Sequence, residues 1–121
     1  IAGLSMIDSL FDRTYDRQRY NCVHLVCEAW QLVTGQDLSQ RTAGILRAVS
    51  DGSGLQRDDT RAFERLTDPE SPCIVLMHGR KQRSHVGLFY RHKVLHITEQ
   101  GVQYMPLDVA KIGFDRVRFY R

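Results

Sequence analysis

No stretch of this chain is apolar for long enough to cross a bilayer, no segment is of low complexity, and no unit repeats. A membrane-spanning helix, a flexible tail protein and a solenoid are thereby excluded as readings. A surplus of one charge is also missing. Seventeen Lys and Arg stand against fourteen Asp and Glu, a formal +3, short of the basic excess of a dedicated nucleic-acid binder. Neither a nucleic-acid nor a membrane partner is expected. Cysteine is scarce: there are three, an odd number that leaves one unpaired whatever happens to the others. No signal peptide is visible, so a reduced compartment is the simpler inference, with synthesis in the cytoplasm.

What is present suits one domain. The chain has 121 residues, 42% hydrophobic and 26% charged, enough to bury a core without disulfides or a structural metal. Ile1 to Ser5 precede a methionine at position 6 and read as an extraneous leader, which puts the domain at residues 6–121. Met6, Ile7, Leu10 and Phe11 fall at helical spacing and predict a short amphipathic helix. Asp12 to Tyr20 is a polar approach to the best helix of the chain. There Asn21 is a good N-cap, Val23, Val26, Cys27, Trp30 and Val33 recur at helical spacing, and Gly35 is a natural stop after Thr34. A short helix is expected over Thr42 to Val49, closed by Asp51-Gly52-Ser53-Gly54. A third is expected over Asp58 to Leu66, with Phe63 and Leu66 on one face.

From Pro72 the periodicity changes. Cys73 to Met77 is a continuous apolar run that reads as a strand buried on both faces. Closely spaced strands follow over His85 to Tyr90, Val94 to Thr98, Val102 to Met105 and Arg116 to Tyr120, with tight turns between most of them. Gly79 to Arg83 is a basic turn, which suits either a solvated hairpin tip or attraction of an anionic polymer. Helices first and strands afterwards is the order of an α+β domain, with N-terminal helices packed on one side of a C-terminal antiparallel β-meander.

Two stretches carry chemistry. Cys22 falls in the first turn of the Asn21 helix, where unsatisfied N–H groups and the helix dipole favour a thiolate. Taken alone, Cys22 also reads as a small apolar core residue. His85 opens a strand and suits a general base, and Gly87 shares its face and leaves room for close approach. A hairpin turning at Arg91-His92-Lys93 would bring His96 beside His85, completing a triad of nucleophile, base and ring-orienting partner. His24 reads as structural or as a wall of the cleft, His78 and His92 as solvated, and Cys27 and Cys73 as packing. Zinc is disfavoured, because Cys22 and Cys27 are five residues apart and there is no Cys-x-x-Cys knuckle.

Tyr20-Asn21-Cys22-Val23-His24-Leu25-Val26 resembles the cysteine helix of the NlpC/P60 superfamily of papain-like cell-wall peptidases. Ser84-His85-Val86-Gly87-Leu88-Phe89 and Val94-Leu95-His96 look like its core strands. The chain is most similar to the small versions found in tail-assembly proteins of tailed bacteriophages. The resemblance implies a papain-like core in which Cys22 is the nucleophile, His85 the base and His96 the third polar residue. Tyr20 and His24 would then stand at the substrate. It further implies hydrolysis of an amide in peptidoglycan stem peptides through an acyl-thioester, without metal or other cofactor, in a virion-associated protein that meets other tail proteins. Asn21 replaces the usual Asp, Val23-His24 a pair of small residues, and Pro72-Cys73 a Gly-Asp. A catalytically silent module of a phage tail and an effector hydrolase of the same fold remain the alternatives.

Overall fold

A computed structural model of the chain describes residues 6–79 and 83–121. The expectation for Ile1 to Ser5, and most of the basic turn before Ser84, lie outside the described residues. Helix α1 (Cys22–Thr34) begins with a reciprocal cap. Asn21 is extended (φ −103°, ψ −169°), its Oδ1 accepts from the Val23 amide at 2.9 Å, and its own amide donates to His24 Nδ1 at 3.0 Å. The Val23 amide is thus satisfied by Asn21, and the Asn21 amide by a His in the place usually taken by Glu or Gln. The helix ends where Gly35 turns left-handed (φ 77°) and its amide bonds the Gln31 carbonyl.

Helix α2 (Ala43–Asp51) also stops at a left-handed glycine, Gly52. The third helix expected over Asp58 to Leu66 is not there. A single 3-10 turn (Arg57–Thr60) is followed by a two-residue strand, β1 (Arg65–Leu66). The turn is held by Asp59, whose carboxylate accepts from the Gln56 amide and from Arg47. Beyond it, Glu64 and Arg121 exchange both backbone hydrogen bonds at 2.9 Å. Pairing with a sheet edge outweighs the weak helical preference of so short a segment. The first expected helix is likewise shortened: residues 6–8 are helical and 9–12 are turns. Ile7 and Leu10 are wholly buried, whereas Met6 and Phe11 stay outside.

The remaining strands are β2 (Cys73–Gly79), β3 (Ser84–Tyr90), β4 (Lys93–Thr98), β5 (Gly101–Pro106) and β6 (Phe114–Tyr120), with a one-turn helix α3 (Leu107–Ala110) before β6. All neighbours are antiparallel, in the order β1-β6-β2-β3-β4-β5. The meander therefore covers β2 to β5, and β6 returns beside β2 instead of extending past β5. The protein is α+β, with its longer helices ahead of the sheet. Among the described residues no helix is long and apolar enough to cross a membrane.

Strand β2 is buried on both faces, as its continuous apolar run predicts. Ile74 and Leu76 join Leu25, Val26 and Trp30 of α1 in the main core. Cys73, Val75 and Met77 join Phe89, Val94 and Ala110 of α3 on the opposite face. A small second core thus covers the side away from α1. Arg91 (φ 51°) and His92 (φ 71°) make the two-residue turn between β3 and β4. Left-handed backbone at both turn positions matches the natural twist of a hairpin and sets its register.

Candidate functional site

That register brings the two strand histidines together. His85 Nε2 lies 2.9 Å from His96 Nδ1, with ring centroids 5.1 Å apart and planes at 78°. On its other side His85 is stacked on Phe114 of β6, at 5.7 Å and 7°. The ring is thus held by one hydrogen bond and one parallel aromatic face, which leaves Nδ1 as its uncommitted nitrogen. Burial, and then His96, hold the His85 pKa down to about 4, and burial also lowers His96. Both rings are neutral near pH 7. His96 Nε2 is buried and makes no hydrogen bond among the described residues.

Gly87 makes the close approach possible. A Cβ there would stand 2.6 Å from Val94 Cγ1 and 3.0 Å from the Leu95 carbonyl. The β3–β4 ladder runs from Tyr90/Lys93 to Leu88/Leu95 and then stops, so the two histidines lie beyond its last pair.

Cys22 reaches the same strand from α1. The backbone amides of Val86, Val23 and Cys22 itself favour its thiolate form. Val86 follows His85 directly and shares the main core with Cys22, whereas the His85 ring is stacked on Phe114, which packs against the second core. The helix start by itself favours a thiolate. Burial outweighs it: Cys22 is only 3% exposed, and desolvation pushes its pKa up to about 11 despite the three amides. Among the described residues no hydrogen bond joins the thiol to the His85 ring. At rest the two groups are a neutral thiol and a neutral imidazole.

An open cavity of about 660 Å³ lies over the histidine pair. It is lined by His85, His96 and Phe114, by Gly52 and Ser53 just past the end of α2, and by Tyr15, Arg17 and Arg83 from elsewhere in the chain. Cys22, expected as the nucleophile, is not among its lining residues, and neither are Tyr20 and His24, expected at the substrate. They have structural roles instead: His24 caps α1 and stacks on Tyr20 at 6.0 Å, and the Tyr20 hydroxyl donates to Glu28. Glu28 is also gripped by Arg13 through two hydrogen bonds, so this cluster pins the approach segment to α1.

Tyr15 and Arg17 were missed because they lie in a polar stretch without periodicity. One local signal was present. Asp16 Oδ1 accepts from the Gln18 and Arg19 amides at 2.9 Å, an Asx turn that folds residues 16–20 into a closed loop. That loop carries Tyr15 and Arg17 to the cavity. Burial lifts the Tyr15 hydroxyl pKa, and the Cys22 sulfur is the next cause.

The other candidate groups are dispersed. Cys27 Sγ contacts Thr42 Oγ1 at 3.2 Å, and Cys73 is sealed in the second core. All three cysteines are free. Among the described residues no three His, Cys, Asp or Glu side chains converge on a point where a metal would sit. Comparison of the chain with protein-family models, with curated proteins and with solved structures gives no match.

Proposed function

We propose that this protein is a cysteine hydrolase of the NlpC/P60 kind, with a papain-like core, that cleaves an amide bond in peptidoglycan stem peptides. The observation that carries the reading is the His85–His96 pair at 2.9 Å in the lining of an open cavity; Cys22 stands at the start of α1, in the same core as Val86, the residue after His85. In this reading His85 carries its proton on Nε2 and donates to His96 Nδ1, so that Nδ1 is free to accept. As the substrate carbonyl carbon is attacked by sulfur, the thiol proton passes to His85 Nδ1. The oxyanion is met by the Cys22 amide at the helix start. The C–N bond then breaks, the amine leaves with the proton from His85, and a thioester remains. Water attacks the thioester, giving its proton to His85, and the acid and the free thiol are released.

A thiol that is neutral at rest suits such a cycle if proton transfer accompanies attack instead of preceding it. Near pH 7 His85 is unprotonated and available as base. The setting we infer is a bacteriophage tail, where the partners would be peptidoglycan and neighbouring tail proteins. The test is digestion of purified peptidoglycan by wild type, Cys22→Ala and His85→Ala. The expected result is soluble muropeptide from the wild type and none from either variant. Wild-type release no greater than that of the variants overturns the reading.

The burial of Cys22 favours one second reading, a structural tail module that keeps the fold without turnover. It predicts a folded wild type that releases nothing and forms no thioester adduct with a stem-peptide ester.

A further inference from the structure

The two ends of the sheet are finished differently. At one end β1 is only two residues long, and beside it Glu64 and Arg121 exchange both backbone hydrogen bonds. At the other end stands β5, six residues from Gly101 to Pro106 that pair with β4 in unbroken register. Proteins usually blunt such an edge with a charge, a bulge, an early proline or a covering segment. β5 has no charged residue and no bulge, and its proline comes last.

The register shows which backbone groups this edge leaves free. The two-residue turn closes at Thr98/Gly101, a pair that exchanges hydrogen bonds, whereas Pro106 has no N–H and its pair with Lys93 exchanges none. Alternation between these ends directs the amides and carbonyls of Gln103 and Met105 to β4 and turns those of Val102 and Tyr104 outward. Among the described residues no backbone group meets them from the far side. Apolar side chains gather at the same edge. Val102 and Tyr104 are only half-buried against the main core, and Met105 against the second. Exposed Phe11 stands edge-on to the Tyr104 ring at 6.4 Å, and exposed Val109 lies in α3, which follows β5 directly.

We propose that β5 is the docking edge for a second copy of this chain, joined across a two-fold axis at Gln103. Two-fold symmetry makes the new pairing antiparallel and sets Val102 of each copy opposite Tyr104 of the other, where both backbone hydrogen bonds are exchanged. Val102, Tyr104 and Phe11 of both copies then lie on one side of the joined sheet and cover one another. The charges fit this occupant. The strand itself is uncharged, and the antiparallel arrangement brings the Glu99 turn of one copy to the Lys93 end of the other. Beyond that end Asp108 and Lys111 are paired at 3.7 Å, so neither sign accumulates there. The opposite edge offers only the short β1, so the assembly closes as a dimer instead of growing. This inference is independent of whether the protein turns over a substrate.

The test is sedimentation equilibrium of the purified chain over a hundredfold range of concentration. The wild type is expected to show a reversible monomer–dimer equilibrium and nothing larger. Val102→Pro removes an N–H that β4 does not use, so its circular dichroism should match the wild type while dimer affinity falls about tenfold or more. Gln103→Glu and Gln103→Lys each oppose like charges on the axis and should weaken the dimer to about the same degree. An equimolar mixture of the two should dimerise again, which also shows that both variants are folded. A wild type that stays monomeric, assembly beyond the dimer, an undiminished dimer in folded Val102→Pro, or a mixture no tighter than its separate components overturns the proposal. Should Val102→Pro fail to fold, the charge-swapped mixture decides alone.

Discussion

Gly87 faces His96 across the open end of a hairpin, where a Cβ on the glycine would stand 3.4 Å from the Cβ of the histidine. Because it would also lie 2.6 Å from Val94 Cγ1 and 3.0 Å from a backbone carbonyl, the strands cannot keep their spacing around a side chain. Gly87→Ala is expected to lower stability by about 1–3 kcal/mol, the usual scale of overpacking. It should also separate the two rings. Urea unfolding measures the first effect, and histidine side-chain NMR measures loss of the His85–His96 hydrogen bond. A variant with unchanged stability and unchanged ring signals would contradict the assigned role.

Asn21 does more than cap α1. It is wholly buried, and its Nδ2 donates to the Arg17 carbonyl at 2.9 Å and to Ser50 Oγ at 3.2 Å. An aspartate keeps the capping oxygen but sets a second acceptor against the Arg17 carbonyl. Asn21→Asp should therefore cost about 1–3 kcal/mol, the penalty of a buried group left without its hydrogen bond. Asn21→Ser, which retains an N-cap and introduces no charge, should cost less. Thermal unfolding of the two variants decides the order, and an Asp variant as stable as the wild type would refute it.

The histidine pair makes the fold sensitive to acid. The pKa of His85 is about 4 in the folded protein against an ordinary 6.5, with burial as the main cause, and His96 is shifted the same way. Between these values the unfolded chain binds a proton on His85 that the folded chain refuses. The contribution of this group is complete above about pH 6.5, is lost as the pH falls through the window, and levels off near pH 4. The urea midpoint should accordingly drop between pH 7 and pH 4.5, and drop less in His85→Gln. Parallel pH profiles for the two proteins would count against the shift.

Desolvation of Cys22 predicts slow alkylation. With its pKa near 11 against an ordinary 9.0, the thiolate fraction at pH 8 is about a hundredfold below that of an exposed cysteine, and the low exposure slows attack further. Iodoacetamide labelling followed by peptide mass spectrometry should therefore modify Cys22 slowly at pH 8 and much faster as the pH approaches 11. Rapid labelling at neutral pH would show a thiolate that the buried geometry does not support.

Much of this architecture was written locally. Asn21 and Gly35 bracket α1 because a cap and a left-handed stop act on the residues next to them. The apolar run from Cys73 to Met77 and the closely spaced turns mark a sheet, since burial on two faces needs apolar residues at every position. The meeting of His85 and His96 was legible too, because a short hairpin couples positions close in the chain. By contrast, Asp58 to Leu66 looked helical until the edge of β6 offered better partners, and the place of β6 beside β2 had no local mark. Tyr15, Arg17 and Arg83 reach one cavity through a loop closure and a sheet end. The thiol's state also came from the whole fold: a helix start favours charge on Cys22, but desolvation sums over every atom packed around it, and those atoms come from distant segments. Chain-neighbour preferences therefore determined the elements and their punctuation. Which side chains share a cavity, and which of them carry charge there, was decided only when the elements closed around one another and excluded water.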